Sequence, residues 1–373
     1  MKALKLILLF NTLFYCKIWA QTNGDSLPNK RLIYLTDNKL KTALDSVIDK
    51  TVIDFMQSPQ NCGLSIGIIK DSVVYFYNYG ETKRNNQTLP DKNTIFEIGS
   101  ISKTFCGIAL SYAITEGKIK LEDDIRKYLP EQYTNLEMNK QFIQIKHLVN
   151  HTSGLPRLPD NLKDQTNFDS LNPYKNYSKK MAFDFLKTVK LNHEPGDVCE
   201  YSNFGMGLLG IILEKIYGKS FEEIIKEKIC LPNNMEATAI NLNTEQVKVF
   251  TDGHNSAGIL TPHWDLGALV AAGGVKSTTG DMVNYLQYNL NETDAAVKLS
   301  HQTTFNNGSN IALAWHKIKT KLGHELVWHN GGTYGYASFC GFIKEKKCAL
   351  VVLSNTSTNV DYIGLSILKH LQK

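Results

Sequence analysis

Runs rich in β-formers stand near the two ends of this 373-residue chain, and the long stretch between them is helical in pattern. Gly63-Leu64-Ser65-Ile66-Gly67-Ile68-Ile69 and Val73-Val74-Tyr75-Phe76-Tyr77 flank the polar turn Lys70-Asp71-Ser72 and predict a hairpin. Far along the chain, Asn310–Ile318, Glu325–His329, Ala337–Ile343 and Ala349–Ser354 read as extended, with Lys344-Glu345-Lys346-Lys347 as a charged turn between the last two. Strands from both termini can bury their apolar faces together only in one shared sheet. The helical centre then becomes a second lobe against it, with a ligand cleft between the two.

Apolar spacing predicts helices over Ala43–Met56, from Ser100 to about Glu116, over Ile145–Asn150, Met181–Val189 and Phe204–Tyr217, and a closing helix over Val360–Leu371. Gly218 suits the C-terminal cap of the fifth of these, and Ser220-Phe221-Glu222-Glu223 reads as a capping box opening another helix. Asp281, in Thr279-Gly280-Asp281-Met282, is assigned to capping a helix start. Residues 157–180 are polar and turn-rich, a long surface excursion. The resulting organisation is one domain over residues 21–373, with a sheet lobe from about 41–95 and 305–373 and a helical lobe from about 100–300.

The first twenty residues read as a signal peptide, with Lys2 and Lys5 ahead of an apolar run from Leu6 to Tyr15 and cleavage after Ala20. Lys17 cuts that run short of the roughly 20 residues a membrane span needs, so the expected location is periplasmic or secreted, with no integral membrane segment after signal removal. Leaving out Lys2, Lys5 and Lys17 reduces 41 basic residues to 38 against 36 acids, a net charge of +2. That balance gives no reason to expect nucleic acid as a partner. Six cysteines remain after the leader, too sparse and without CxxC for a disulfide scaffold; small buried side chains are favoured over disulfides. Ten histidines form no HExxH or Cys/His cluster, so neither a metal nor a cofactor is expected.

Three short motifs carry chemistry. In Ser100-Ile101-Ser102-Lys103 a lysine follows a serine by one helical turn, where the two share a face. A serine hydroxyl attacks only if a base removes its proton. An amine serves only when neutral, which burial and neighbouring positive charge can achieve. Alone this pattern is weak, since a capping serine and a solvated lysine would look the same. Tyr201-Ser202-Asn203 follows the turn Glu194-Pro195-Gly196-Asp197, and Tyr201 and Asn203 can face one cleft. Tyr201 could pass a proton to a leaving group, and Asn203 could hold a substrate amide and contact Lys103. Trp328-His329-Asn330-Gly331-Gly332-Thr333 ends a β-rich run, where paired glycines admit a close backbone approach. The Gly332 N–H is then a candidate oxyanion donor, with substrate laid along a strand edge formed by His329, Asn330 and Gly331.

Taken together, the motifs resemble those of the penicillin-recognising serine hydrolases, in the branch of class C β-lactamases, D-alanyl-D-alanine carboxypeptidases and related esterases. Phe96-Glu97-Ile98-Gly99, His151-Thr152-Ser153-Gly154-Leu155-Pro156, Pro195-Gly196 through Gly210, and Ala272-Gly273-Gly274-Val275-Lys276-Ser277-Thr278 extend the resemblance from about Cys62 to Ser354. It implies an α/β fold of the β-lactamase/transpeptidase type, an antiparallel sheet flanked by helices plus an all-helical lobe. It makes Ser100 the nucleophile, Lys103 the base, Tyr201 the proton shuttle and Asn203 a substrate contact, with the Ser100 and Gly332 backbones as oxyanion hole. It implies a small-molecule or peptide substrate: a β-lactam or D-alanyl peptide first, an ester or amide second. A protein acylated without turnover is a third possibility, and a dead scaffold is disfavoured because every residue acylation needs is present. One departure stands out. Class C β-lactamases usually carry Lys-Thr-Gly where this chain has His329-Asn330-Gly331. A histidine with a pKa near 6.5 could supply positive charge to a substrate carboxylate only part of the time. Tyr334 and Tyr336 could line the cleft or pack in the core.

Overall fold

Side chains alternate across a strand, so each strand's apolar set is divided between two faces. The computed structural model describes residues 32–373. Its main strands are β1 (Gly63–Lys70), β2 (Val73–Gly80), β3 (Ile95–Glu97), β4 (Lys276–Thr278), β5 (His316–Lys319), β6 (Glu325–Gly332), β7 (Ala337–Ile343) and β8 (Cys348–Ser354). Six of them form one antiparallel sheet in the order β2-β1-β8-β7-β6-β5. The two ends of the chain meet where Leu64 stands opposite Ser354 and Lys70 opposite Cys348. β3 and β4 form a separate pair, with Glu97 opposite Lys276.

The longer helices are α1 (Ala43–Met56), α2 (Ser102–Thr115), α3 (Lys179–Thr188), α4 (Asn203–Tyr217), α5 (Thr279–Asn291) and α6 (Asp361–Leu371). On one face of the sheet, Leu64, Ile66, Ile68, Leu350 and Val352 pack with Ile48 and Val52 of α1 and Ile363 and Ile367 of α6. On the other, Ile69, Val351, Leu353 and Phe342 join the larger core that runs into the helical lobe. α2 is buried along nearly its whole length, as expected of a helix apolar on every side.

Several expectations shift. α5 falls within the residues assigned from sequence to the helical lobe, yet it lies on the sheet. A Cβ on Gly67 of β1 would meet Val283 Cγ2 at 2.6 Å, and the Ser65 and Thr279 hydroxyls are 2.9 Å apart. The cap of α5 is Thr278, whose side chain accepts from Asp281 N. The Asp281 carboxylate instead accepts from Ala237 N and Thr238 Oγ1, tying a loop to the helix rather than capping it. Of Asn310–Ile318, only the end beginning at His316 is strand. Ile311, Ala312, Leu313, Ala314 and Trp315 are buried, and the Leu313 carbonyl packs where a Cβ on Gly107 of α2 would come within 2.2 Å.

The leader and its cleavage site lie outside the described residues. Among the described residues no helix is long and apolar enough to cross a membrane, and Cys62, Cys106, Cys199, Cys230, Cys340 and Cys348 are free thiols.

Candidate active site

The Ser100 turn is set by how closely two backbones approach. After β3 the chain turns at Gly99, at φ +50°, through one 3-10 turn (Gly99–Ile101) and enters α2 at Ser102. A Cβ on Gly99 would fall 2.6 Å from Gly332 N, and one on Gly331 would fall 2.9 Å from Ser100 N and 2.1 Å from Ile98 O. Only glycines allow β6 to press against this turn, and the result brings Ser100 and Gly332 together. Ser338 on β7 locks the approach by donating its hydroxyl to Ile98 O at 2.8 Å.

Lys103 sits one turn on and is 0 % exposed. Its Nζ lies 2.9 Å from Ser100 Oγ in a hydrogen bond and donates to Ala272 O at 2.5 Å. Burial, then the positive charge of Arg157, lowers its pKa well below the usual lysine value. A buried ammonium with no carboxylate partner is costly, so the neutral amine is favoured and its lone pair is free to take a proton.

Tyr201 precedes Ser202, the N-cap of α4, whose hydroxyl accepts from Gly205 N and donates to Pro156 O. The Tyr201 ring centroid lies 4.4 Å from that of His151, 4.8 Å from Lys103 Nζ and 5.0 Å from the Arg157 guanidinium. His151, left-handed at φ +62°, accepts from Ser202 N through Nδ1. Burial pushes the Tyr201 phenol up to about 12, only partly offset by its hydrogen bond with Ser100. Two shifts of opposite sense therefore divide the roles: Lys103 is suited to accept the Ser100 proton, and Tyr201 stays protonated and suited to donate.

Asn203 begins α4 and borders the cleft, but its amide nitrogen donates to Tyr174 OH at 3.2 Å and not toward Lys103 as the sequence suggested. Its Oδ1 is buried without a partner, an open acceptor for a substrate N–H. Asn330, Gly331 and Gly332 border the cleft along the end of β6. His329 does not fit the expectation of a part-time cation facing substrate. Its side chain is 1 % exposed, its Nδ1 is 2.6 Å from Asn330 O, and burial followed by His316 and Lys103 lowers its pKa well below 6.5. Alternation along β6 turns residue 329 inward when 330 faces the cleft.

Two cavities meet at Ser100. One, of about 800 Å³, has a largely apolar wall that includes Leu158, Phe168, Tyr174, Trp264 and Tyr334. The 157–180 excursion thus builds a wall of the cleft. The other, of about 420 Å³, is polar and includes Tyr201, His316, Asn330, Asn359 and Asp361. Arg157 borders both. Its own carbonyl accepts from Asn203 N and Phe204 N, which anchors it to the start of α4. Sequence reasoning missed Arg157, Trp264 and Asp361; for Arg157 the available signal was its place directly after Leu155-Pro156. Of the two tyrosines left open, Tyr334 lines the cleft, and Tyr336 is core, its hydroxyl bonded to Thr251 O. Among the described residues no group of three or more His, Cys, Asp or Glu stands close enough to hold a metal ion.

A family model described as Beta-lactamase matches residues 48–371. Over 353 residues the chain is 28% identical to a beta-lactamase of Escherichia coli (strain K12), covering 84% of this chain and 89% of that protein. It is 27% identical over 343 residues to Protein flp of Staphylococcus aureus (strain MRSA252), covering 87% of this chain and 66% of that protein. Among solved structures, a beta-lactamase/D-alanine carboxypeptidase from Pseudomonas syringae superposes with a TM-score of 0.76 at 24% identity, covering 88% of this chain and 99% of that one.

Proposed function

The chain belongs to the β-lactamase family, a serine hydrolase of the β-lactamase/transpeptidase fold, and we propose that it hydrolyses small amide or ester acyl donors, β-lactams and D-alanyl amides among them, through an acyl-enzyme on Ser100. One observation carries this reading: a fully buried lysine amine in hydrogen-bond contact with the Ser100 hydroxyl at the meeting point of two cavities. Lys103 takes the Ser100 proton as Oγ bonds to the substrate carbonyl carbon. The developing oxyanion accepts from the backbone N–H groups of Ser100 and Gly332, each worth about two to three powers of ten in rate. The carbon–nitrogen or carbon–oxygen bond then breaks, and Tyr201 supplies the proton the leaving group needs, drawing on the one Lys103 received. Water attacks the acyl carbon next, the ester bond to Ser100 breaks, and the hydroxyl is restored. Asn203 Oδ1 accepts from the N–H of an acyl-side amide, and the apolar cavity holds the acyl group.

The buried, neutral state of His329 favours a second reading within the first, in which simple esters and amides are turned over better than carboxylate-bearing β-lactams. The leader-like first twenty residues support an exported enzyme. Hydrolysis of a phenylacetyl aryl ester and of benzylpenicillin by wild type and Ser100→Ala tests the proposal. The expected loss in the variant is about a thousandfold or more. Retention of either activity in folded Ser100→Ala would rule Ser100 out as nucleophile.

A further inference from the structure

The polar cavity carries a charge that the reaction does not explain. Its ionisable lining groups are Arg157, Tyr201, His316 and Asp361. Tyr201 borders this cavity and not the apolar one. The group that donates to the departing atom therefore places the leaving group on the polar side. Tyr201 is held protonated and His316 is held toward its neutral form by burial and by Lys103, so two formal charges remain there. Arg157 borders both cavities and stacks over Tyr201, which fixes it at their junction beside Ser100. Asp361 borders only the polar cavity, at the first position of α6.

Asp361 is held in place rather than loosely solvated. Asn330 Nδ2, from the strand segment that leads to Gly332, donates to Oδ2 at 2.7 Å, and Asn359 Nδ2 donates to the same oxygen at 3.0 Å. Asn359 Oδ1 in turn accepts from Asp361 N at 2.8 Å. Both amide donors fall on Oδ2, so Oδ1 keeps its capacity to accept from a ligand. A carboxylate anchored in this way attracts an ammonium and repels a second carboxylate in the same confined space.

We infer that Asp361, positioned by Asn330, is a specificity-determining residue that favours acyl donors whose leaving group bears a cationic amino group over those whose leaving group bears a carboxylate. The inference rests on the Ser100 reading and adds the leaving-group class to it. The reaction is hydrolysis throughout: the donor and water give an acid and an amino-bearing alcohol or amine, with no further reactant.

Three phenylacetyl esters test it, those of 3-(aminomethyl)phenol, 3-(hydroxymethyl)phenol and 3-hydroxybenzoate, each rate normalised to its spontaneous hydrolysis. With the full-length protein, kcat/KM is expected to fall in that order, with about tenfold between the ammonium and carboxylate esters, a modest figure because Asp361 is half-exposed. In Asp361→Asn the ratio between the two charged esters should collapse toward one, and in Asp361→Glu the order should survive. High salt should compress the wild-type ratio. A preference for the carboxylate ester, or a ratio unchanged in folded Asp361→Asn, would overturn the inference while leaving Ser100 as nucleophile. Should Asp361→Asn fail to fold, the wild-type order and its salt dependence decide. Turnover of none of the three esters would overturn the Ser100 reading, and the inference with it.

Discussion

Replacing Gly331 by alanine perturbs the backbone contact on which the site depends. A Cβ there would stand 2.1 Å from Ile98 O, 2.5 Å from Ser338 Oγ and 2.9 Å from Ser100 N. Real Cβ atoms essentially never come within 3.0 Å of such atoms, so β6 and the Ser100 turn must part by about 0.9 Å, the difference between 3.0 and 2.1 Å. Ile98 cannot simply rotate away, because its N–H donates to Val275 O and its carbonyl accepts from Ser338. Forced overpacking of this kind costs about 1–3 kcal/mol of stability. The same displacement separates Ser100 N from Gly332 N, and a misplacement of about 1 Å or the loss of one oxyanion donor reduces rate by roughly a hundredfold or more. Steady-state kcat/KM on the phenylacetyl ester, read beside thermal melting, checks both effects. Gly323→Ala serves as control: its φ is +86° with nothing within 4 Å of a new Cβ, so it should lose about 1 kcal/mol or so of stability while keeping kcat/KM. Full activity and an unchanged melting temperature in Gly331→Ala would refute the close-approach reasoning.

Three further outcomes follow from the buried groups. Lys103→Met should reduce acylation by about two to four powers of ten while leaving the melting temperature unchanged or higher, since an apolar side chain of similar length replaces a buried amine; acylation bursts and calorimetry check this. Because the folded pKa of Lys103 lies below its unfolded value near 10.5, its contribution to stability is fully present above 10.5 and declines as pH falls toward the folded pKa; kcat/KM should correspondingly rise with pH through an inflection well below 10.5 that Tyr201 does not share. Glu292, lowered to about 2 chiefly by its hydrogen bond with His301 and further by Lys344, contributes stability that is present above about 4.5 and lost as pH falls through about 2. Burial lowers the His301 pKa, and its Nδ1 stands 2.5 Å from Glu292 Oε1 while its Nε2 stands 2.9 Å from Asn289 Oδ1. Glu292→Gln should therefore cost on the order of 2 kcal/mol at pH 7 and flatten acid unfolding between those limits.

Local signals were legible where the chemistry was local. The helix Ala43–Met56 has the expected bounds because its periodicity starts at a capping box, with Thr42 and Asp45 each satisfying the other's backbone N–H. Ser220 with Glu223 likewise caps as the sequence suggested, and Gly218 is left-handed at φ +62° after α4. Ser100, Lys103 and Tyr201 could be found together because two of them lie one helical turn apart and the third precedes a cap. Residues 311–315 were misread as strand because a fully buried stretch has no alternation to show what surrounds it; here its neighbour is α2 at Gly107. The charge on His329 was misread because a free-histidine pKa ignores burial, and burial of a strand residue depends on the sheet's other partners. Asp361 was hidden by distance: it stands 31 residues from Asn330 in sequence and meets it only when α6 closes over the sheet. Arg157 sat in a segment whose polarity read as surface, although that segment walls the cleft.

Covalent chemistry at Ser100 is tested most directly by intact mass after rapid mixing of the protein with benzylpenicillin or the phenylacetyl ester, quenched over milliseconds to minutes, with Ser100→Ala alongside. The expected result is an acyl adduct on wild type that maps to Ser100, decays as free product accumulates, and is absent from the variant. An adduct that forms equally on folded Ser100→Ala, or hydrolysis by wild type with no adduct at any time point while acyl transfer is demonstrably slow, would contradict it.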